Sequence, residues 1–298
     1  MIKARFLLFI LFFSSYSQGP AVFNEPNSFE VAEGTKFIVL GDWGRRGNAK
    51  QQAVANAMAF TAQVYPIDFV LTTGDNFYRK GVKSIHDKHW QESFENVYSD
   101  KSLHVPWYTS LGNHDHYGNI EAQMEYTNHS DRWKMQAAYY TQSIVTQDSA
   151  EILLVITDTQ TLKKKSNGFQ EHYAWLDSTL KHSTADWKIV VGHHPIRTGG
   201  KHGENANLVQ YLKRILDRYN TDVYFAGHDH DLQHLKDENI HYVVSGSGSS
   251  TRKVKETPYT LFQKSALGFV LGSINKTVLY LYFINEQGVL LYSTTIIK

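Results

Sequence analysis

The chain has 298 residues, 42% of them hydrophobic and 13% aromatic, enough to bury a sizeable core as one large or two modest domains. Thirty Lys and Arg against 29 Asp and Glu leave a net charge of +1, which speaks against a nucleic-acid or anionic-membrane binder. Cysteine is absent, so disulfides, thiolate metal sites, Cys nucleophiles and a lipoprotein cysteine are excluded, while the count of 15 histidines asks for a cause.

The chain opens with Lys3 and Arg5, an apolar run "FLLFILFF" (6–13) and a small-residue exit "SSYSQG". This pattern predicts a signal peptide over residues 1–17, cleaved near Ser17, and therefore an exported protein, periplasmic or secreted. The run is too short to span a bilayer, and no other segment is long and apolar enough, so no stable membrane insertion is expected. A polar spacer (18–34) then precedes a single domain over 35–298.

Within that domain, short apolar runs end in Gly plus an acidic, amide or imidazole residue: "KFIVLGDWG" (36–44), "DFVLTTGDNFY" (68–78), "VPWYTSLGNHDH" (105–116), "WKIVVGHHP" (187–195) and "VYFAGHDHD" (223–231). "EILLVITD" (151–158) is a further strand. Helical patterns lie between them at 48–63, 87–99, 170–183 and 205–219, so the spacing predicts α/β organisation with a buried sheet. The last third reads as four consecutive strands (240–247, 265–274, 276–285, 288–297), predicting a second, partly antiparallel sheet.

Functional groups of open α/β sheets collect at the carboxyl ends of strands. Five strand ends here carry Asp42, Asp75 with Tyr78, Asn113 with His114, His193, and His228 with His230. Taken singly, each is as well explained by a turn or a helix cap; together they put oxygen and imidazole donors on one edge, which predicts a metal centre. Leaving His114 aside, seven ligands (two Asp, one Asn, three His and Tyr78) exceed the needs of one ion, and a carboxylate such as Asp75 can bridge two. The donor set, with no sulfur, suits Fe, Zn or Mn. A phenol must first lose a proton with pKa ~10 to act as a ligand. A trivalent iron supplies the charge to remove it, so Tyr78 predicts Fe(III) at one position.

The blocks "GDWG" (41–44), "GDNFY" (74–78), "GNHD" (112–115), "VVGH" (190–193) and "GHDH" (227–230) stand in the order of the purple acid phosphatase pattern. The sequence resembles that family, in its small tartrate-resistant form, over roughly residues 35–295. Related metallophosphoesterases usually carry DxH in the first block; here position 44 is Gly and Tyr78 is present, which favours the purple subgroup. The resemblance implies a four-layer α/β/β/α sandwich, two mixed sheets flanked by helices, the calcineurin-like metallophosphoesterase fold. It implies Fe(III) on Asp42, Asp75, Tyr78 and His230, and divalent Fe, Zn or Mn on Asp75, Asn113, His193 and His228. It implies hydrolysis of phosphoric monoesters by a metal-generated hydroxide, with an acidic optimum. His114 matches the family's phosphate-contacting histidine. His202 in "GGKHGEN" matches a second one, as leaving-group acid or substrate clamp, although by itself it is an ordinary glycine-rich loop residue.

Two departures accompany the resemblance. The animal enzymes carry a long protease-sensitive loop where "QTLKKKSNGFQEH" (160–172) is short, and their disulfide has no counterpart here. His194 stands where they have Tyr, which implies a pocket-lining role; Asp115 and His116 are expected to orient His114. Small phosphomonoesters or phosphorylated peptides are the implied substrates, with nucleic acid not a partner and a monomer slightly favoured. A phosphodiesterase or nucleotide pyrophosphatase on the same metals, or a non-hydrolytic iron- or phosphate-binding or redox protein, are the rival readings.

Overall fold

Alternation along buried strands decides which face of each sheet meets which neighbour. The computed structural model describes residues 29–298; the expected signal peptide and residues 18–28 of the spacer lie outside the described residues. The first half supplies β1 (Thr35–Leu40), helix α1 (Ala49–Val64), β2 (Phe69–Thr72), β3 (Trp107–Thr109), helix α2 (Ile120–Glu125), β4 (Trp133–Lys134), β5 (Tyr140–Val145) and β6 (Glu151–Ile156). Helices α3 (Thr159–Lys164) and α4 (Phe169–Lys181) lead to β7 (Trp187–Val191), helix α5 (Arg214–Arg218) and β8 (Val223–Ala226). The chain ends with β9 (Leu232–Asp237), β10 (Ile240–Ser245), β11 (Thr260–Lys264), β12 (Gly268–Ile274), β13 (Val278–Asn285) and β14 (Leu290–Ile297).

Two seven-stranded mixed sheets result, ordered β14-β13-β12-β1-β2-β3-β4 and β11-β9-β10-β8-β7-β6-β5. β1 to β4 are mutually parallel, as are β6, β7, β8 and β10, while the outer strands are antiparallel. The expected separate sheet for the last third is therefore corrected. β12 to β14 extend the first sheet, with Phe37 opposite Gly272 in the β1–β12 register, while β9 to β11 extend the second. The reason is that β1 has a free edge away from β2, and a distant apolar strand satisfies its backbone there.

Ile189 and Val191 of β7, and Val223 and Phe225 of β8, face the other sheet, where Phe225 meets Phe37 edge-on at 6.1 Å. Their neighbours Val190, Tyr224 and Ala226 face outward and are covered by Leu176 and Leu180 of α4 and by Ile215 and Leu216 of α5. This is the two-mixed-sheet fold with flanking helices expected from the resemblance. α1 starts where Asn48 accepts from Gln51 N at 2.9 Å, an ordinary N-cap. The helix expected over 87–99 is narrower, a π-helical turn at Gln91–Glu95 preceded by the helical residues His89 and Trp90 and followed by a turn; α5 is likewise preceded by a π-helical segment, Leu208–Lys213. Residues 29–34 lie against the first sheet, where Ala32 N donates to Tyr282 Oη at 3.0 Å. Among the described residues no helix is long and apolar enough to cross a membrane.

Below the strand ends of the first sheet lies an aromatic cluster. Trp43 packs on Phe77 (5.6 Å), Phe77 on Trp90 (4.5 Å), and Phe94 on both Trp107 (5.1 Å) and Trp133 (5.3 Å). Trp43 and Phe77 each sit one residue from an expected ligand, so this packing fixes the loops that carry Asp42 and Tyr78.

Candidate metal centre

All nine residues singled out in the sequence come to one edge, at the carboxyl ends of five parallel strands. Asp42, Asp75 and Asn113 follow β1, β2 and β3 of the first sheet, whereas His193, His228 and His230 follow β7 and β8 of the second. Asp42, Asp75 and His228 take left-handed backbone angles (φ 59°, 50° and 67°), each immediately after a glycine. That conformation turns the chain sharply at the strand end and is uncommon for residues with a Cβ. Gly227 allows the two sheets to close here, because a Cβ on it would stand 2.4 Å from Asp42 Oδ2.

Gly44 and Tyr78 form a single arrangement. A Cβ at position 44 would lie 1.7 Å from Asn76 O, and Tyr78 N donates to Gly44 O at 2.8 Å. The loop carrying Tyr78 therefore occupies the space that a larger side chain at 44 would need. Tyr78 Oη donates to Asp42 Oδ1 at 2.8 Å and lies 3.2 Å from His230 Nε2, which is 3.3 Å from the same carboxylate oxygen. Burial, then Asp42 and Asp75, push the phenol well above its ordinary range, against Arg45, whose guanidinium lies 3.7 Å over the ring. Burial holds His230 down at about 3 and, with Asp75 beside it, pushes Asp42 up to about 7, against His193.

The second group has a tautomer that geometry settles. His193 Nδ1 donates to Thr73 O at 2.8 Å, leaving a lone pair on Nε2. That lone pair faces Asn113 Oδ1 at 3.2 Å, Asp75 Oδ1 at 3.4 Å and His228 Nδ1 at 3.2 Å. Oxygen acceptors converging on an unprotonated nitrogen repel one another unless a cation lies among them, so the donor set fits a metal. Burial, then His193 and His194, hold His228 far below the ordinary histidine range, in its neutral, ligand-competent form. Asp42, Asp75 and His193 offer ligand atoms within 4.8 Å of one another, a group that could hold an ion.

His114 and His202 flank these groups. His114 Nδ1 donates to Arg79 O at 2.6 Å, so Nε2 is free to face the centre. His202 Nδ1 donates to Asp229 Oδ1 at 3.0 Å, and its ring stacks 4.1 Å from that of His228. Arg252 Nη1 donates to His202 Nε2 at 3.1 Å. Asp115 and His116 act elsewhere than on His114. Buried Asp115 accepts from the amides of Asn76, Phe77 and Gly112 and from Gln123, tying the two loops that hold Tyr78 and Asn113. His116 faces Asp158 at 3.0 Å, which raises it above its ordinary value despite burial.

His194 does not line an open pocket; it is 2% exposed and lies beneath His228, ring to ring at 4.5 Å. Thr159 Oγ1 already accepts from the amides of His193 and His194, so its proton goes to His194 Nδ1 at 2.9 Å. His194 thus carries its proton on Nε2, which lacks a partner among the described residues. Asp229, Arg45 and Arg252 join the site unannounced by the sequence; only Asp229, between the two histidines of "GHDH", offered a signal.

Comparison with known proteins agrees with this geometry. The model of the calcineurin-like phosphoesterase family matches residues 35–232. Human tartrate-resistant acid phosphatase type 5 is 35% identical, with 87% of this chain and 90% of that protein aligned. Purple acid phosphatase 3 of Arabidopsis thaliana is 33% identical over 95% of this chain and 83% of its own length. The chain belongs to the purple acid phosphatase family. Among solved structures, GAP50, described as the anchor in the inner membrane complex of Plasmodium, superposes with a TM-score of 0.82 at 26% identity, covering 90% of each chain. A purple acid phosphatase from yellow lupin seeds shares the fold at a TM-score of 0.67, 16% identity and 90% coverage of this chain, against 54% of its own.

Proposed function

We propose that this purple acid phosphatase is exported and hydrolyses phosphoric monoesters at a centre of one Fe(III) and one divalent Fe, Zn or Mn. As a family member it is a dimetal acid phosphatase. The observation that carries the reading is the convergence of two oxygens, Asn113 Oδ1 and Asp75 Oδ1, and the His228 ring nitrogen on Nε2 of His193, whose Nδ1 is spent on Thr73 O. Asp42, Asp75, Tyr78 and His230 would hold the ferric ion, and Asp75, Asn113, His193 and His228 the divalent one. When bound, the two ions supply positive charge for the phosphoryl oxygens and a nucleophile that exists below neutral pH.

The chain's own residues do the rest. His114, fixed by Arg79 O, presents Nε2 to a phosphoryl oxygen. Asp229 keeps the Nδ1 proton of His202 in place, so Nε2, which carries a proton only in the charged ring, is the nitrogen that would exchange one with a leaving oxygen. Burial first, and Arg252 beside the same nitrogen, hold the ring below its ordinary range against Asp229, which favours release of an Nε2 proton once Arg252 has turned aside. Export rests on the basic start and apolar run of residues 3–13.

The test is a pH–rate profile on a phosphomonoester beside a bis-ester, with purified protein of measured metal content. Monoester turnover peaking below neutrality in a purple or pink sample with two metals per chain supports the reading. Preference for the bis-ester, or colourless protein with an alkaline optimum, sinks the monoester and ferric assignments. Turnover of neither ester with both metals bound turns the reading to a binding protein.

A further inference from the structure

Beside His202, the glycine pair Gly199–Gly200 runs against residues 252–255, and the two stretches are locked together. Lys255 N donates to Gly199 O at 2.9 Å, while Gly199 N donates to Gln233 Oε1 at 2.8 Å. The second stretch is also anchored on the metal centre, because Arg252 N donates to His230 O at 2.7 Å. Between them is a cavity of about 470 Å³ lined by Gly199, Gly200, Lys201, Arg252, Lys253 and Lys255.

Four of these six lining residues are cations, and among the described residues none of the four makes an ion pair. None of the carboxylates close by in the chain forms an ion pair with these four cations, although Asp229 lies against Gly200. Asp229 accepts from His202 and Thr198, Glu204 pairs with Arg197, and Glu256 is exposed. Like charges held around a concave space raise the local potential and favour entry of an anion. The fork of Arg252 suits phosphoryl oxygens, and the lysines add point charges. Arg252 reaches His202 Nε2 at 3.1 Å and His202 stacks on His228, so one imidazole separates this cavity from the metal centre.

Resting on the phosphatase reading above, we infer that this cavity is a second anion subsite, and that the substrates it selects are small phosphomonoesters carrying another phosphoryl group. One phosphoryl group sits at the metal centre for cleavage while the other docks on Lys201, Arg252, Lys253 and Lys255. The cavity is open to solvent, and its volume fits part of a small molecule. No additional bond is made or broken; the subsite contributes binding and orientation only.

The experiment compares kcat/KM for fructose 1,6-bisphosphate and fructose 6-phosphate in the metal-loaded full chain, the Lys253→Ala/Lys255→Ala variant and the Lys253→Arg/Lys255→Arg variant. The unaltered protein is expected to favour the bisphosphate about tenfold at low ionic strength, with the preference shrinking as salt is added. The alanine variant loses most of that preference through KM, and the arginine variant keeps it. An identical substrate ratio in all three proteins overturns the subsite. A preference shown by a phosphoserine peptide with acidic flanks, and not by the bisphosphate, overturns the small-molecule assignment. If the unaltered protein turns over neither ester, the phosphatase reading fails. Calorimetric binding of fructose 1,6-bisphosphate to the same three proteins then decides the subsite: loss in the alanine variant upholds it, and equal binding overturns it.

Discussion

A buried histidine pair far from the metal centre should make this protein acid-labile in a measurable way. His234 of β9 and His241 of β10 face each other, Nε2 to Nδ1, at 2.8 Å, and Tyr292 of β14 lies 3.2 Å from the other nitrogen of His234. They are 0% and 8% exposed. Burial holds both down, with His241 and Lys236 adding to the effect on His234 and Lys236 to that on His241; the values are about 3 and about 4. Both rings are therefore neutral in the folded chain, whereas in the unfolded chain they take protons near pH 6.5. A depressed histidine pKa means stability present above 6.5 and lost as pH falls towards the folded values. Each unit of pH below 6.5 costs about 1.4 kcal/mol per ring, so pH 5 removes about 2 kcal/mol at His234 and somewhat less at the partly exposed His241. The sum, roughly 3 kcal/mol, is a large share of a typical stability of about 5–15 kcal/mol. The assay is urea unfolding at pH 7 and pH 5 of the metal-loaded protein and of a His234→Leu/His241→Thr variant. The difference between the two pH values should shrink by roughly 3 kcal/mol in the variant, whatever its stability at pH 7. An unchanged difference, or NMR signals showing either ring charged above pH 5.5, would refute the argument.

Further outcomes follow from the site. Asp115→Ala strands the buried amides of Gly112, Asn76 and Phe77, each worth about 1–3 kcal/mol, so chemical unfolding should show a loss of at least about 3 kcal/mol. Gly44→Ala forces a Cβ against Asn76 O and pushes the Tyr78 loop away; the purple absorption should fade even where circular dichroism shows a folded protein. His202→Asn should lower kcat by about 10²–10⁴ with metal content unchanged, and full turnover in that variant would remove His202 from the reaction.

The strand ends were legible because chemistry restricts them so tightly. A short β-branched run, a glycine and then Asp, Asn or His leaves few readings, and β1, β2, β3, β7 and β8 begin and end close to where those runs do. Partners across space were not legible. Nothing in "SALGFVLGSI" says that it pairs with β1 from the other end of the chain, since a ladder is specified by two distant apolar faces together. β9 leaves no strand signal because "LQHLKD" is polar in composition; its burial depends on Gln233 and His234 finding partners in Asp231 and His241. Arg252 lies in a segment without period, and its approach to His202 follows from a backbone bond to His230 that no pattern encodes. The burial of His194 is hidden from the sequence for a related reason: its ring is held by Thr159, a residue on the preceding strand connection.

The division of the metal centre between the two sheets has a consequence for how the molecule assembles. Asp42, Asp75 and Asn113 arrive with one sheet and His193, His228 and His230 with the other, and Asp42 and His230 are far apart along the chain although their side chains meet at 3.3 Å. On the proposed ligand assignment neither sheet alone supplies a full set, so tight ion capture should report that the two have docked. An ion held there works as a clasp on the rim of the sandwich, adding its binding energy to the closed form alone. Chelated protein should accordingly gape first along this seam, and hydrogen exchange should quicken at the amides of His228 and Gly248, which donate across it to Asp42 Oδ2 and Gly41 O, before it quickens in the strands beneath.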